Sequence, residues 1–237
     1  MTKNGIDVSY AQENIDWSRV KTDFCIIQAG YGRISSQKDK FFERNYSGCK
    51  SHNIPCGAYW YSYATTVEDA KKEAYACLEV IKGKQFEYPV YFDLEEPSAL
   101  ATGKANCSAM VRAFCNILES AGYWTGLYMS ASHLNTYIED DIKSRYSIWV
   151  AHYGVPKPSY NGAYGMWQSS ATGRIAGING NVDIDTAYID YPSEIKKAGL
   201  NGYLKQSAEN SVTAKKSKKF EITVDGVTYS GTLSEKT

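Results

Sequence analysis

Tyr88-Pro89-Val90-Tyr91-Phe92-Asp93-Leu94-Glu95-Glu96-Pro97 decides how this chain is read. Val90 to Phe92 is a run of β-formers leading into two carboxylates one residue apart. Strand side chains alternate faces, so Asp93 and Glu95 point the same way. Pro97 is expected to stop the strand and leave both acids at its carboxyl end. In a barrel of parallel strands, active sites are built at that end. Each carboxylate raises the other's hold on a proton, and desolvation adds to the effect. One acid can thereby stay protonated near neutral pH, ready for a leaving oxygen. Asp-x-Glu alone also fits an acidic, solvated strand end, so the rest of the chain has to decide.

Outward from that strand, segments of strand and helix alternate. Ile6–Ser9, Phe24–Gly32 and Ala58–Tyr63 read as strands one to three, the second ending in a Gly-rich loop. That loop lacks the Gly-Lys-Ser/Thr ending of a phosphate loop. Helical spacing predicts a helix over 38–52 and another from Thr65-Thr66, with Glu68 and Asp69 in a capping pattern. A third is amphipathic through Met110, Phe114, Ile117 and Leu118, and a weaker one covers 131–142. Strands five to eight are expected at 125–129, 147–153, 164–168 and 182–185. Helices follow strands two to five, and loops join the last three. The pattern predicts an α/β chain with a parallel sheet closed into a barrel and an incomplete helical layer.

Boundaries are expected at 1–204 for the barrel, 205–218 for a polar linker and 219–237 for a C-terminal β-hairpin. Phe220–Val224, Asp225-Gly226 and Val227–Tyr229 carry the hairpin signal. A lone hairpin is marginal in water. This one is therefore expected to dock on the barrel, pair with another subunit so that the chain oligomerises, or begin a wall-binding module.

Basic and acidic side chains number 26 each, so nothing suggests a nucleic-acid partner, which would call for a basic surface. No stretch approaches a membrane span, and no signal-peptide core is visible, so synthesis in the cytoplasm is expected. The six cysteines lack Cys-x-x-Cys spacing and read as reduced core residues. His52, His133 and His152 lack zinc-helix spacing, and only His152, at a strand end, is a candidate to touch substrate. No metal or cofactor is expected. Ser9 and Ser130 have no nucleophile elbow around them.

Asp7, Asp93, Glu95 and Asp183 all fall at strand ends, and strands one and eight are neighbours in a closed barrel. Clustered carboxylates repel unless a proton, ligand or hard cation uses them, which leaves glycoside hydrolysis or cation binding. The 20 Tyr and 5 Trp fit a filled core, yet Tyr31, Tyr59, Tyr61, Tyr128, Trp149 and Trp167 sit at or near the same strand ends, which favours sugar. Gln28 and Gln168 join them as candidate substrate-binding residues. Asp185 shares the facing of Asp183 and ranks below it, and Glu96 is expected to face away from Glu95.

Gly5-Ile6-Asp7-Val8-Ser9, Gly57-Ala58-Tyr59-Trp60, Asp93-Leu94-Glu95, Gly126-Leu127-Tyr128, Ile148-Trp149-Val150-Ala151, Met166-Trp167-Gln168 and Asn181-Val182-Asp183 occur in this order. Over roughly residues 4–190 the chain thus resembles glycoside hydrolase family 25, the Chalaropsis-type lysozymes. The resemblance implies an irregular β/α barrel, TIM-barrel-like, that cleaves the β-1,4 bond between N-acetylmuramic acid and N-acetylglucosamine in peptidoglycan. It also implies Glu95 as general acid, Asp93 as an orienting or stabilising partner, and Asp7 and Asp183 as shapers of the field. Many members are phage endolysins released through a holin; others are bacterial autolysins. Two acids so close on one strand suit a substrate-assisted route better than a pair flanking the bond. The competing readings are a glycosidase of chitin-like glycans, which would carry a longer acidic run before Glu95, and a non-catalytic carbohydrate-binding barrel.

Overall fold

The computed structural model describes residues 2–205, 218–224 and 227–233. The chain divides into two compact units, Met1–Lys205 and Gln206–Thr237. The first is a closed barrel of eight strands in sequence order: β1 Lys3–Val8, β2 Phe24–Tyr31, β3 Cys56–Tyr61, β4 Val90–Asp93, β5 Thr125–Ser130, β6 Ser147–Ala151, β7 Met166–Gly173 and β8 Val182–Ala187. The helices are α1 Phe42–Ser51, α2 Val67–Ile81, α3 Pro97–Leu100, α4 Lys104–Ser120, α5 Ala131–Tyr137, α6 Asp140–Arg145 and α7 Tyr191–Ala198. Helices follow β2 to β5, while 152–165 and 174–181 join the last three strands without one, as expected for an incomplete layer.

Period-two alternation sorts the side chains. Cys25, Ile27, Val90, Phe92, Leu127, Met129, Ile148 and Val150 face outward into one core with the helices. Phe24, Ile26, Tyr91, Tyr128, Trp149 and Met166 face inward and fill the barrel with Tyr191 of α7. Trp149 is the hub of this interior, with ring centroids 4.6 Å from Tyr128 and 5.2 Å from Tyr91. Gly126 makes that packing feasible: a Cβ there would lie 2.5 Å from the Tyr91 ring. All six cysteines are buried and free.

Four expectations change. The sheet is not wholly parallel, because β8 runs antiparallel to both β1 and β7. With Asp7 opposite Asp183, the start of β8 lies at the same end as the finish of β1. A parallel β8 would have carried Asp183 to the opposite end. Second, β4 stops at Asp93, and Pro97 opens α3, a first-turn position where its missing N–H costs nothing. Glu95 therefore sits just beyond the strand, although Leu94 N still donates to Tyr128 O at 3.3 Å. Third, the helix expected from residue 38 starts at Phe42, because Lys38 is drawn into a bridge with Gly30. Fourth, the 131–142 segment divides into α5 and α6.

The second unit holds β9 Lys218–Val224 and β10 Val227–Leu233, paired antiparallel with Val224 opposite Val227. The Asp225-Gly226 turn and the polar 206–217 segment lie outside the described residues. No helix among the described residues is long and apolar enough to cross a membrane.

Candidate active site

At the carboxyl end of β1 to β7 the barrel opens into a cleft of about 790 Å³. Asp7, Asp93, Glu95 and Asp183 all line it. So do Gln28, Tyr31, Tyr59, Tyr61, Tyr128, Trp149 and Gln168. Trp167 does not. It alternates with Gln168 on β7, so only one of the two can face inward. Its indole N–H donates to His152 O at 2.9 Å and its ring packs on the outer core. Trp149 lines the bottom as a buried floor and not as an exposed stacking platform. His152 is absent from the lining; its Nδ1 accepts from Ser159 N at 3.0 Å.

Burial pushes the Asp93 carboxyl well up, and the neighbouring Glu95 adds to it. Glu95 is raised too, by burial first and then by Glu96 and Asp183. The two therefore titrate as a unit, with a proton retained beyond the ordinary carboxylate range. Asp93 is 5% exposed, and its Oδ1 has no hydrogen-bond partner among the described residues. Glu96 accepts from Tyr61 OH at 3.0 Å, which holds that ring on the cleft wall.

A second group of acids lies across the cleft. Asp7 is raised well up by burial, then by Asp185 and Asp183. Asp185, ranked behind Asp183 in the sequence, is fully buried one layer deeper on the same face of β8. Burial pushes it up to about 8, against the pull of the Trp149 indole N–H, which donates to its Oδ1 at 2.9 Å. Asp183 is raised as well, by burial, with contact to Asp7 offsetting part of it, so the three carboxyls hold protons as a group. Asp7 Oδ2 in turn accepts from Gln168 Nε2 at 2.7 Å.

Gln168 is held by its other end. Tyr128 OH and Tyr153 OH both donate to Gln168 Oε1, at 2.7 and 2.5 Å. Two donors on the carbonyl leave the amide N–H₂ for Asp7 and fix which way the side chain points. Tyr153 lies just past β6, which ends at Ala151 and not at 153 as expected; alternation from Trp149 would have turned it inward, and the sequence reading passed over it. Ser9, Tyr10, Lys38, Asp39, Lys40 and Tyr63 complete the lining, and none of them was among the candidate substrate-binding residues. Among the described residues no group of three or more His, Cys, Asp or Glu is arranged to hold a metal ion.

Paired carboxyls that retain a proton, in an aromatic-walled cleft at a barrel mouth, define a site for acid-assisted cleavage of a sugar polymer. The chain matches the model of glycosyl hydrolases family 25 over residues 6–178 and belongs to that family. It is 31% identical to the uncharacterized protein YegX of Escherichia coli (strain K12), over 78% of this chain and 69% of that one. Lysozyme M1 of Streptomyces globisporus is 29% identical, over 76% of this chain and 65% of the relative. Among solved structures, the CTP1L endolysin superposes with a TM-score of 0.73 at 27% identity, covering 82% of this chain and 69% of that one. The chain is a glycoside hydrolase.

Proposed function

We propose that this enzyme is a peptidoglycan muramidase that cuts the β-1,4 bond after N-acetylmuramic acid, with Glu95 as general acid. The observation that carries the reading is the Asp93 Oδ1 atom, buried in the cleft without a partner beside Glu95. An unmet acceptor in a buried site calls for a donor from the ligand. The N–H of a 2-acetamido group supplies one, and donation to Asp93 favours its ionised form. The proton of the pair then belongs to Glu95, where the glycosidic oxygen needs it.

In the first step the acetamide oxygen bonds to the anomeric carbon and the glycosidic C–O bond breaks. Glu95 gives its proton to the departing oxygen. In the second step water attacks the anomeric carbon, its proton passes to Glu95, and the acetamide is restored. Asp7 and Asp183 shape the field on the other side. The lysozyme and endolysin names among the relatives support peptidoglycan over chitin-like glycans, and a complete acid set supports catalysis over mere binding. We read 219–237 as a wall-binding or oligomerisation element after a 205–218 linker. The enzyme acts on the cell wall; holin-dependent release from the cytoplasm follows if it serves a phage.

Mass spectrometry of digested peptidoglycan tests this, with Glu95→Gln alongside. Fragments ending in reducible N-acetylmuramic acid, absent with the variant, are expected. Intact wall with both proteins refutes the activity. Undiminished cleavage of de-N-acetylated glycan refutes the acetamide step.

A further inference from the structure

The cleft is acidic except on one rim. Its two cations, Lys38 and Lys40, come from a single tripeptide, Lys38-Asp39-Lys40. That tripeptide is a built ledge and not a loose loop. Lys38 bridges Gly30 at the end of β2, and Asp39 N donates to Ala29 O at 3.0 Å. The Asp39 carboxylate is buried and accepts from Tyr10 N and Phe41 N, both at 2.8 Å. Asp39 thereby clamps Tyr10 beside the ledge and sets the direction in which its neighbours leave.

The two lysines differ. Lys38 Nζ is met by Glu43 at 3.2 Å. Lys40 has no carboxylate in ion-pair range among the described residues, the cleft acids included. Its Nζ stands 5.8 Å from the centroid of the Tyr10 ring and 5.3 Å from that of Phe41. Two aromatic faces hold the cation in place without neutralising it. A positioned, unneutralised cation on the edge of an acidic cleft calls for an anionic group on the substrate.

We propose that Lys40 is a specificity-determining residue that binds a carboxylate of the peptide stem carried on the muramic acid lactyl group. This rests on the muramidase reading. Glycan stripped of its stem carries only the lactyl group's own carboxylate, held close to the sugar ring, whereas a stem leaving the cleft over the Tyr10 rim brings carboxylates out to Lys40. Tyr10 is 53% exposed and gives the stem a flat surface to cross on the way. The contact is made equally in the bound substrate and the transition state, so it acts on KM and not on kcat.

The test uses soluble strands from peptidoglycan freed of anionic wall polymers, half of them stripped of stems by an amidase. Wild type, Lys40→Met and Lys40→Arg are compared on both. Lys40→Met should raise KM about fivefold on stem-bearing strands, as a rim ion pair allows, and leave stripped strands unchanged. Lys40→Arg should stay close to wild type. Equal losses on both substrates, or none on either, overturn the proposal. Wild-type enzyme that releases no reducing ends from either substrate takes down the muramidase reading as well. An unchanged thermal midpoint in Lys40→Met confirms that the fold is intact.

Discussion

Glu73 offers the sharpest test of the physics behind the cleft, because it is a buried carboxyl outside the catalytic group. It lies on α2, fully buried, and accepts from Ser62 Oγ at 2.7 Å and from Tyr63 N at 2.9 Å. These bonds fix the turn directly after Tyr61, so Glu73 holds one wall of the cleft from behind. Burial pushes its carboxyl from 4.5 up to about 7, and the two hydrogen bonds offset only part of that. A raised folded value means that the protonated form favours folding. That contribution is complete below the unfolded value and is lost as pH rises through the folded one. The span from 4.5 to about 7, at about 1.4 kcal/mol per unit, amounts to about 3 kcal/mol. Glu73→Gln keeps an acceptor for Tyr63 N, turns the bond with Ser62 Oγ round so that the amide donates, and cannot ionise. Urea unfolding of both proteins at pH 5 and pH 8 reads the difference. The wild type should lose about 2–3 kcal/mol more than the variant between the two pH values. The cleft acids titrate in both proteins and cancel. Parallel stability curves for the two would refute the argument that burial, and not the local bonding, governs this carboxyl.

Further outcomes follow from the same geometry. Tyr153→Phe removes one of two donors to Gln168 Oε1, so kcat/KM should fall about tenfold, with a displaced pH profile and an unchanged fold. Asp185→Asn keeps an acceptor for the Trp149 indole and removes a charge that raises Asp7. The Asp7 titration, followed by carboxyl carbon NMR, should move down. Gly126→Ala forces a methyl against the Tyr91 ring and Ser147 O, and should cost at least about 2 kcal/mol in chemical unfolding.

Much of the barrel was legible because alternation writes itself into strands. Phe24, Ile26 and Gln28 line up inward as the pattern requires, and Asp93 follows Tyr91 to the same face. Alternation also carried the warning that Trp167 and Gln168 cannot both face the cleft. Strand direction was not legible. Val182-Asp183-Ile184-Asp185 reads the same whichever way β8 runs, because direction is set by how the 174–181 loop returns the chain. The rank of Asp185 was hidden for a related reason, since depth along a barrel axis depends on register with β1. Tyr153 and the Lys38–Lys40 ledge were hidden by element bounds: β6 stops at Ala151 and α1 starts only at Phe42, so both sit in connections that the sequence reading had given to a strand and a helix.

The reversed eighth strand has one practical result. Lys3 at the start of β1 pairs with Ala187 at the finish of β8, so both ends of the barrel strands meet at the rim away from the cleft. The barrel can be anchored to a bead or a surface at that rim through the start of β1. The open mouth at the other end of the barrel then still faces an insoluble polymer.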